Sequence, residues 1–158
     1  MYNTIETADS YIEAHYTSTS SERIRWAALS NEDKTVCLNN AFAAIEALPF
    51  LGRKAAIGQE TAFPRLPYQY GHTDEGAPQN VLAAEAEWAL WLSDETKRSS
   101  SRKRKELQED GVKEYKIGDL SETYTDSSAS AASAFSSGKC PKAMELLAPY
   151  LTGGYETC

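Results

Sequence analysis

Leu38, Ala41, Phe42, Ile45 and Leu48 recur at steps of three and four, drawing one apolar stripe along a helix that Ser30 caps and Pro49 ends. A stripe of this kind faces a core. Upstream, the pattern predicts a helix over residues 9–16 and a second after Thr19, where Thr19-Ser-Ser-Glu22 has capping-box spacing, running through Ile24, Trp26 and Leu29. Downstream, Pro78 suits the first turn of a fourth helix, and residues 81–92 are apolar nearly all round, Trp88 and Trp91 included. Such a helix belongs inside a bundle or an interface. Its continuation through 99–101 meets three serines, which lower the helix propensity.

Between 50 and 77 the periodicity gives way to Gly52, Gly58, Pro64, Pro67, Gly71 and Gly76, interleaved with Phe63, Tyr68 and Tyr70, the composition of a long structured loop. After 111 a period of two takes over. Tyr115 and Ile117 alternate with Glu114 and Lys116, Gly118-Asp119 supplies a two-residue turn, and the chain returns from Leu120 to Tyr124. A lone two-stranded ribbon is marginal in water, so this hairpin arm needs a partner surface in its own subunit or in a neighbour.

Residues 126–139 are rich in Ser and Ala, with Phe135 the only large apolar side chain. As a coil this tether spans roughly 20 Å on average and about 45 Å when extended. Beyond it, Pro141 opens a short helix with Met144, Leu147, Tyr150 and Leu151 on one face, disturbed by Pro149. That face either docks on a partner or folds back on the bundle. The expected architecture is mainly α: a small helical bundle over 1–110 containing the loop 50–77, a protruding β-hairpin arm over 111–125, a flexible linker over 126–139, and a tethered C-terminal helix and tail over 140–158.

At 158 residues, with 41% hydrophobic and 25% charged side chains, the chain is long enough for one domain with a sizeable core, and no apolar run is long enough to span a bilayer. The start, Met1-Tyr-Asn-Thr-Ile-Glu, has neither a basic region nor an apolar signal core, so folding in a cytoplasm is expected. Charge is unevenly distributed. The formal net charge is −7, yet Lys97, Arg98, Arg102, Lys103, Arg104, Lys105, Lys113 and Lys116 place eight of the sixteen basic residues within twenty positions. This cluster could be a solvated helix face, could pair with an acidic protein neighbour, or could hold nucleic-acid phosphates.

Candidate chemistry is sparse. Cys37, Cys140 and Cys158 are odd in number and widely spaced, and His15 and His72 have no nearby ligand partner, so neither a disulfide framework nor a metal site is expected. Cys37 reads as a small core residue and the other two as parts of the tail. Nucleophile elbow, phosphate loop and zinc-protease motifs are missing from the sequence, so an enzyme is not expected and no cofactor is implied. Glu85 and Glu87, two apart on a helix, do not face each other and read as solvated or interface charges. Phe63-Pro-Arg65 either pins its loop to the core or offers a base-stacking surface.

Taken in order, Ala8-Asp-Ser-Tyr11, Trp26-Ala-Ala-Leu29, Ala62-Phe-Pro-Arg65, the apolar fourth helix and Val112-Lys-Glu-Tyr-Lys-Ile-Gly-Asp-Leu-Ser-Glu-Thr-Tyr124 resemble the head-to-tail connector, or adaptor, proteins of tailed bacteriophages. Some members of that family carry a DnaT-like single-stranded-DNA-binding label. The likeness covers about residues 8–151, with Phe63 where many relatives have tryptophan.

The resemblance implies a subunit of a dodecameric ring beneath the portal, in the virion neck after assembly in the host cytoplasm. That ring would extend the DNA channel and present a surface to the next neck or tail-completion protein. Implied partners are the portal protein, further copies of the chain, and genomic DNA passing through without sequence-specific binding; no membrane is implied. On this reading Tyr115, Ile117, Leu120 and Tyr124 make subunit contacts and Arg102, Lys103, Arg104 and Lys105 pair with acidic neighbours. Met144, Leu147, Tyr150 and Leu151 dock on the portal. The alternative function is that of a single-stranded-DNA-binding accessory protein.

Overall fold

The computed structural model describes residues 1–66, 76–96, 114–117, 120–123 and 139–152. Among them the fold is mainly α, as expected: α1 (Ile5–His15), α2 (Ser21–Ala28), α3 (Asn31–Glu46), α4 (Gln79–Leu92) and α5 (Pro141–Leu147), followed by a 3-10 turn over Ala148–Tyr150. β1 (Arg53–Lys54) pairs antiparallel with β2 (Arg65–Leu66), and β3 (Glu114–Ile117) with β4 (Leu120–Thr123).

Local chemistry sets the helix starts. Ser30 accepts from Asp33 N at 3.1 Å and opens α3 as expected. For α2 the cap is Ser20, whose hydroxyl accepts from Arg23 N, one residue later than the Thr19 spacing predicts; Glu22 instead accepts from Ser21 Oγ at 3.0 Å. α1 begins four residues before the expected 9–16. There Thr4 and Thr7 cap each other, Thr7 N donating to Thr4 Oγ1 and Thr4 N to Thr7 Oγ1. A box closed by threonine in place of Glu or Gln is the less familiar form of this signal.

α4 is the axis of the core. α3 and α5 make its most extensive contacts and α1 also packs on it. Leu38, Ala41 and Ile45 of α3 meet Val81, Ala84, Trp88 and Ala89 of α4 in one buried cluster that also takes in Ala8, Ile12, Trp26, Phe50 and Phe63. The α3 stripe therefore faces the core as its spacing predicts, with Phe42 half-buried at its margin.

Two expectations need correction. The C-terminal helix does not leave its apolar face free: Ala143, Leu147 and Leu151 are buried in the same cluster. Leu151 pairs with Phe50 in an isolated antiparallel bridge, and Leu51 N and Thr152 N donate to Tyr150 O and Pro49 O at 2.8 and 2.9 Å. Cys140, expected in the tail, is likewise buried, its Sγ 3.7 Å from Glu87 O. An apolar face on a seven-residue helix finds more surface to cover within the bundle than in solvent. The linker 126–138 and the extension of α4 past residue 96 lie outside the described residues.

Candidate functional site

Glu85 and Glu87 are the second correction: both are buried in the chain's own core. Two residues on a helix turn through about 200°, so the two carboxylates point to opposite sides of α4. On one side, Glu85 Oε1 accepts from Tyr2 N at 3.0 Å, and Oε2 accepts from Asn3 N at 2.6 Å and Asn3 Nδ2 at 2.9 Å. Burial holds its carboxyl above the ordinary carboxylate range, and the donated N–H bonds offset part of that rise.

On the other side, Glu87 accepts from Tyr11 Oη at 2.9 Å, Tyr16 Oη at 2.6 Å and Lys142 Nζ at 2.6 Å. Lys142 also lies 3.1 Å from Tyr16 Oη and 4.6 Å from the centre of that ring. Burial first, then the bond to Glu87, pushes the Tyr16 hydroxyl up to about 12. Burial alone would lower the Lys142 ammonium, but its bonds to Glu87 and Tyr16 hold it above its ordinary value. One carboxylate thus ties α1, α4 and α5 together. Its role is architectural, and Glu87, Tyr16 and Lys142 also border a cleft between α2, α4 and α5.

The loop carrying Phe63-Pro-Arg65 is pinned, not offered to a ligand. Phe63 is buried edge-on against Phe50 at 4.8 Å, Tyr150 at 5.7 Å and Tyr2 at 6.2 Å. Arg65 donates to four carbonyls, from Nε to Leu51 O at 2.7 Å, from Nη2 to Gly52 O at 2.7 Å and Phe50 O at 3.2 Å, and from Nη1 to Ala62 O at 3.2 Å. Glu46 holds the same loop, accepting from Ala62 N through both carboxylate oxygens and from the Tyr2 hydroxyl. Every described Phe, Tyr and Trp side chain is buried or half-buried, so none is displayed as a stacking platform.

Of the residues expected to make contacts, Tyr115, Ile117 and Leu120 lie on the β3–β4 ribbon, where Tyr115 pairs with Glu122 and Ile117 with Leu120. These four share one face by register. Gly118 and Asp119, expected to supply the turn, lie outside the described residues. Tyr124 and Arg102, Lys103, Arg104 and Lys105 lie outside the described residues. Of the portal-docking set, Leu147 and Leu151 are buried in the core and Met144 and Tyr150 are half-buried against it.

Two surface features escape the spacing rules. A cleft of about 250 Å³ opens between α2, α4 and α5, walled by Arg25, Trp91, Cys140 and Lys142. The exposed large apolar side chains include Leu51, Ile57 and Leu66 on the loop, and Ile24 and Val36 on α2 and α3.

The class this geometry defines is a helical bundle closed around one central helix, with a separate antiparallel ribbon and no metal-ligating cluster among the described residues. The model of one family, described as "Putative DnaT-like ssDNA binding protein", matches residues 1–158, and the chain belongs to that family. No curated protein and no solved structure matches it.

Proposed function

We propose that this protein is a structural subunit of the phage neck, a head-to-tail adaptor that assembles with copies of itself beneath the portal and hands on to the next neck component. The observation that carries this reading is the β3–β4 ribbon, a sheet of two strands with no third strand beside it among the described residues. Both outer edges present backbone donors and acceptors to whatever chain lies alongside, the geometry of strand addition between subunits. The ordered set of motifs shared with phage connector proteins supports the same role, which involves no catalytic step. The described side chains also carry more carboxylates than cations, a composition suited to a channel through which DNA must slide.

The test is co-sedimentation of the purified chain with portal-bearing capsids of its cognate phage, with class averages of the portal vertex. Added ring density at the portal is expected. Its absence would sink the adaptor reading.

The family description favours a second reading, single-stranded DNA binding, and the basic run from Lys97 to Lys116 is the part of the sequence suited to it. That reading demands oligonucleotide binding with a steep salt dependence, lost when Arg102 to Lys105 are neutralised.

A further inference from the structure

Two segments far apart in sequence, 49–66 and 140–152, hold each other. Leu51 N donates to Tyr150 O at 2.8 Å, Thr152 N and Oγ1 donate to Pro49 O at 2.9 and 3.0 Å, and Phe50 pairs with Leu151. The ring of Phe63 meets both sides edge-on, 4.8 Å from Phe50 and 5.7 Å from Tyr150. Arg65 carries the join outward, donating to the carbonyls of Phe50, Leu51 and Gly52, the stretch whose first two residues meet the C-terminal segment.

Beyond residue 52 the loop is braced from within. Lys54 pairs with Arg65 across β1 and β2, Ala55 N donates to Pro64 O at 3.1 Å, and Lys54 Nζ donates to Gln59 O and Glu60 O at 3.0 and 2.7 Å. Gln59 N reaches Ala56 O at 3.4 Å with Gly58 at a φ of 82°, as the third position of a type II turn requires, and Ile57 before it is fully exposed. The tip is a braced apolar knob hung on residues 50–52. At its other end the C-terminal segment is seated on α4: Ala143 and Leu147 are buried in the core cluster, and Lys142 pairs with Glu87 at 2.6 Å.

We propose that residues 140–152 are a latch on this loop, α5 and the β1–β2 pairing opening as one unit at a lower free energy than the α1–α4 bundle. Segments that share their contacts open together, and each hydrogen bond lost at the join removes support from both sides. The latch couples two surfaces. A partner protein that takes the apolar face of α5 into a groove of its own must lift the latch and so slackens the Ile57 tip; a partner that grips the braced tip holds α5 down. The rival arrangement is that Glu46 and Tyr2, which bind the loop at Ala62 and Phe63, keep it in place after α5 has lifted. The coupling is internal to one chain and independent of the adaptor reading.

The test is native-state hydrogen exchange of the full chain. Ala55 N reports the β1–β2 pairing, Met144 N, which donates to Cys140 O at 3.0 Å, reports α5, and the amides of residues 38–45 report the bundle. In the wild-type protein Ala55 and Met144 are expected to share one opening free energy, smaller than that of the α3 amides. Two variants at exposed positions then act from opposite ends. Lys142→Ala, at the start of α5, should speed exchange at Ala55, and Thr152→Val, at the join, should speed exchange at Met144, each by about twofold to tenfold. Thermal melts of both variants check that the fold is kept.

Unequal opening of Ala55 and Met144, an Ala55 rate unmoved in Lys142→Ala, or a Met144 rate unmoved in Thr152→Val would overturn the latch in favour of the Glu46–Tyr2 hold. Opening of all three reporters at a single free energy would overturn it too, since α5 and the loop would then part only when the whole protein unfolds.

Discussion

Replacing Leu147 by alanine separates a core role for the C-terminal helix from a docking role. The side chain is fully buried among α4 residues, and truncating a buried leucine costs about 3–5 kcal/mol through lost transfer energy and the cavity left behind. In a protein of this size each kcal/mol moves the melting midpoint by roughly 2–4 °C, so a fall of about 6–20 °C is expected. Met144→Ala, at a half-buried position, should cost no more than about half as much. Thermal unfolding followed by far-ultraviolet circular dichroism reads both. A shift of less than about 2 °C for Leu147→Ala would mean that α5 does not pack on α4 in solution, and the portal would again be the natural place for that face.

Glu87→Ala leaves two tyrosine hydroxyls and Lys142 without their shared acceptor, and should cost about 2–4 kcal/mol in urea unfolding, the ammonium recovering part of its hydration because Lys142 is half exposed. In Glu87→Gln, ultraviolet titration of the tyrosines should show Tyr16 ionising at lower pH than in the unmodified protein, since the charge of Glu87 is removed and its bond weakened while burial remains; an unmoved titration would contradict the assigned bond. Glu85 carries a folded pKa raised by burial, so between its unfolded value of 4.5 and the higher folded one the native state binds more protons than the unfolded chain. Its contribution is therefore most favourable below that window and declines as pH rises through it, and Glu85→Gln should flatten this part of the stability profile. Arg65→Lys, which loses the fork that gathers four carbonyls, should cost about 1–3 kcal/mol and expose the loop to limited proteolysis; a cleavage rate equal to wild type would refute the clamp.

The stripe from Leu38 to Leu48, the apolar α4 and the alternation around Tyr115 were legible because each is a local period, and local periods map directly onto faces of helices and strands. The partners of Glu85 and Glu87 were not. Tyr2 and Tyr16 lie more than seventy positions from them, and nothing in the spacing of two glutamates on an apolar helix reveals that backbone and phenol donors will converge there. The same holds for Arg65, whose neighbours Phe63 and Pro64 announce a pinned loop while its carbonyl partners become near only through the β1–β2 pairing. The fate of the C-terminal face was open for a different reason. An amphipathic helix specifies that it will be covered, and not by what.

The burial of Cys140 gives the molecule a built-in reporter. Its thiol is inaccessible and burial raises its pKa, so the reactive thiolate is scarce while α5 stays seated. In sequence, 48 residues from 93 to 140 separate α4 from α5, and α5 is held on the bundle by its buried face and the Lys142–Glu87 contact. A seven-residue helix held in this way is a natural first element to lift away before the rest unfolds. Modification of Cys140 by a thiol reagent would then proceed at the frequency of this excursion, and the rate would clock the detachment of one helix from a bundle that stays native.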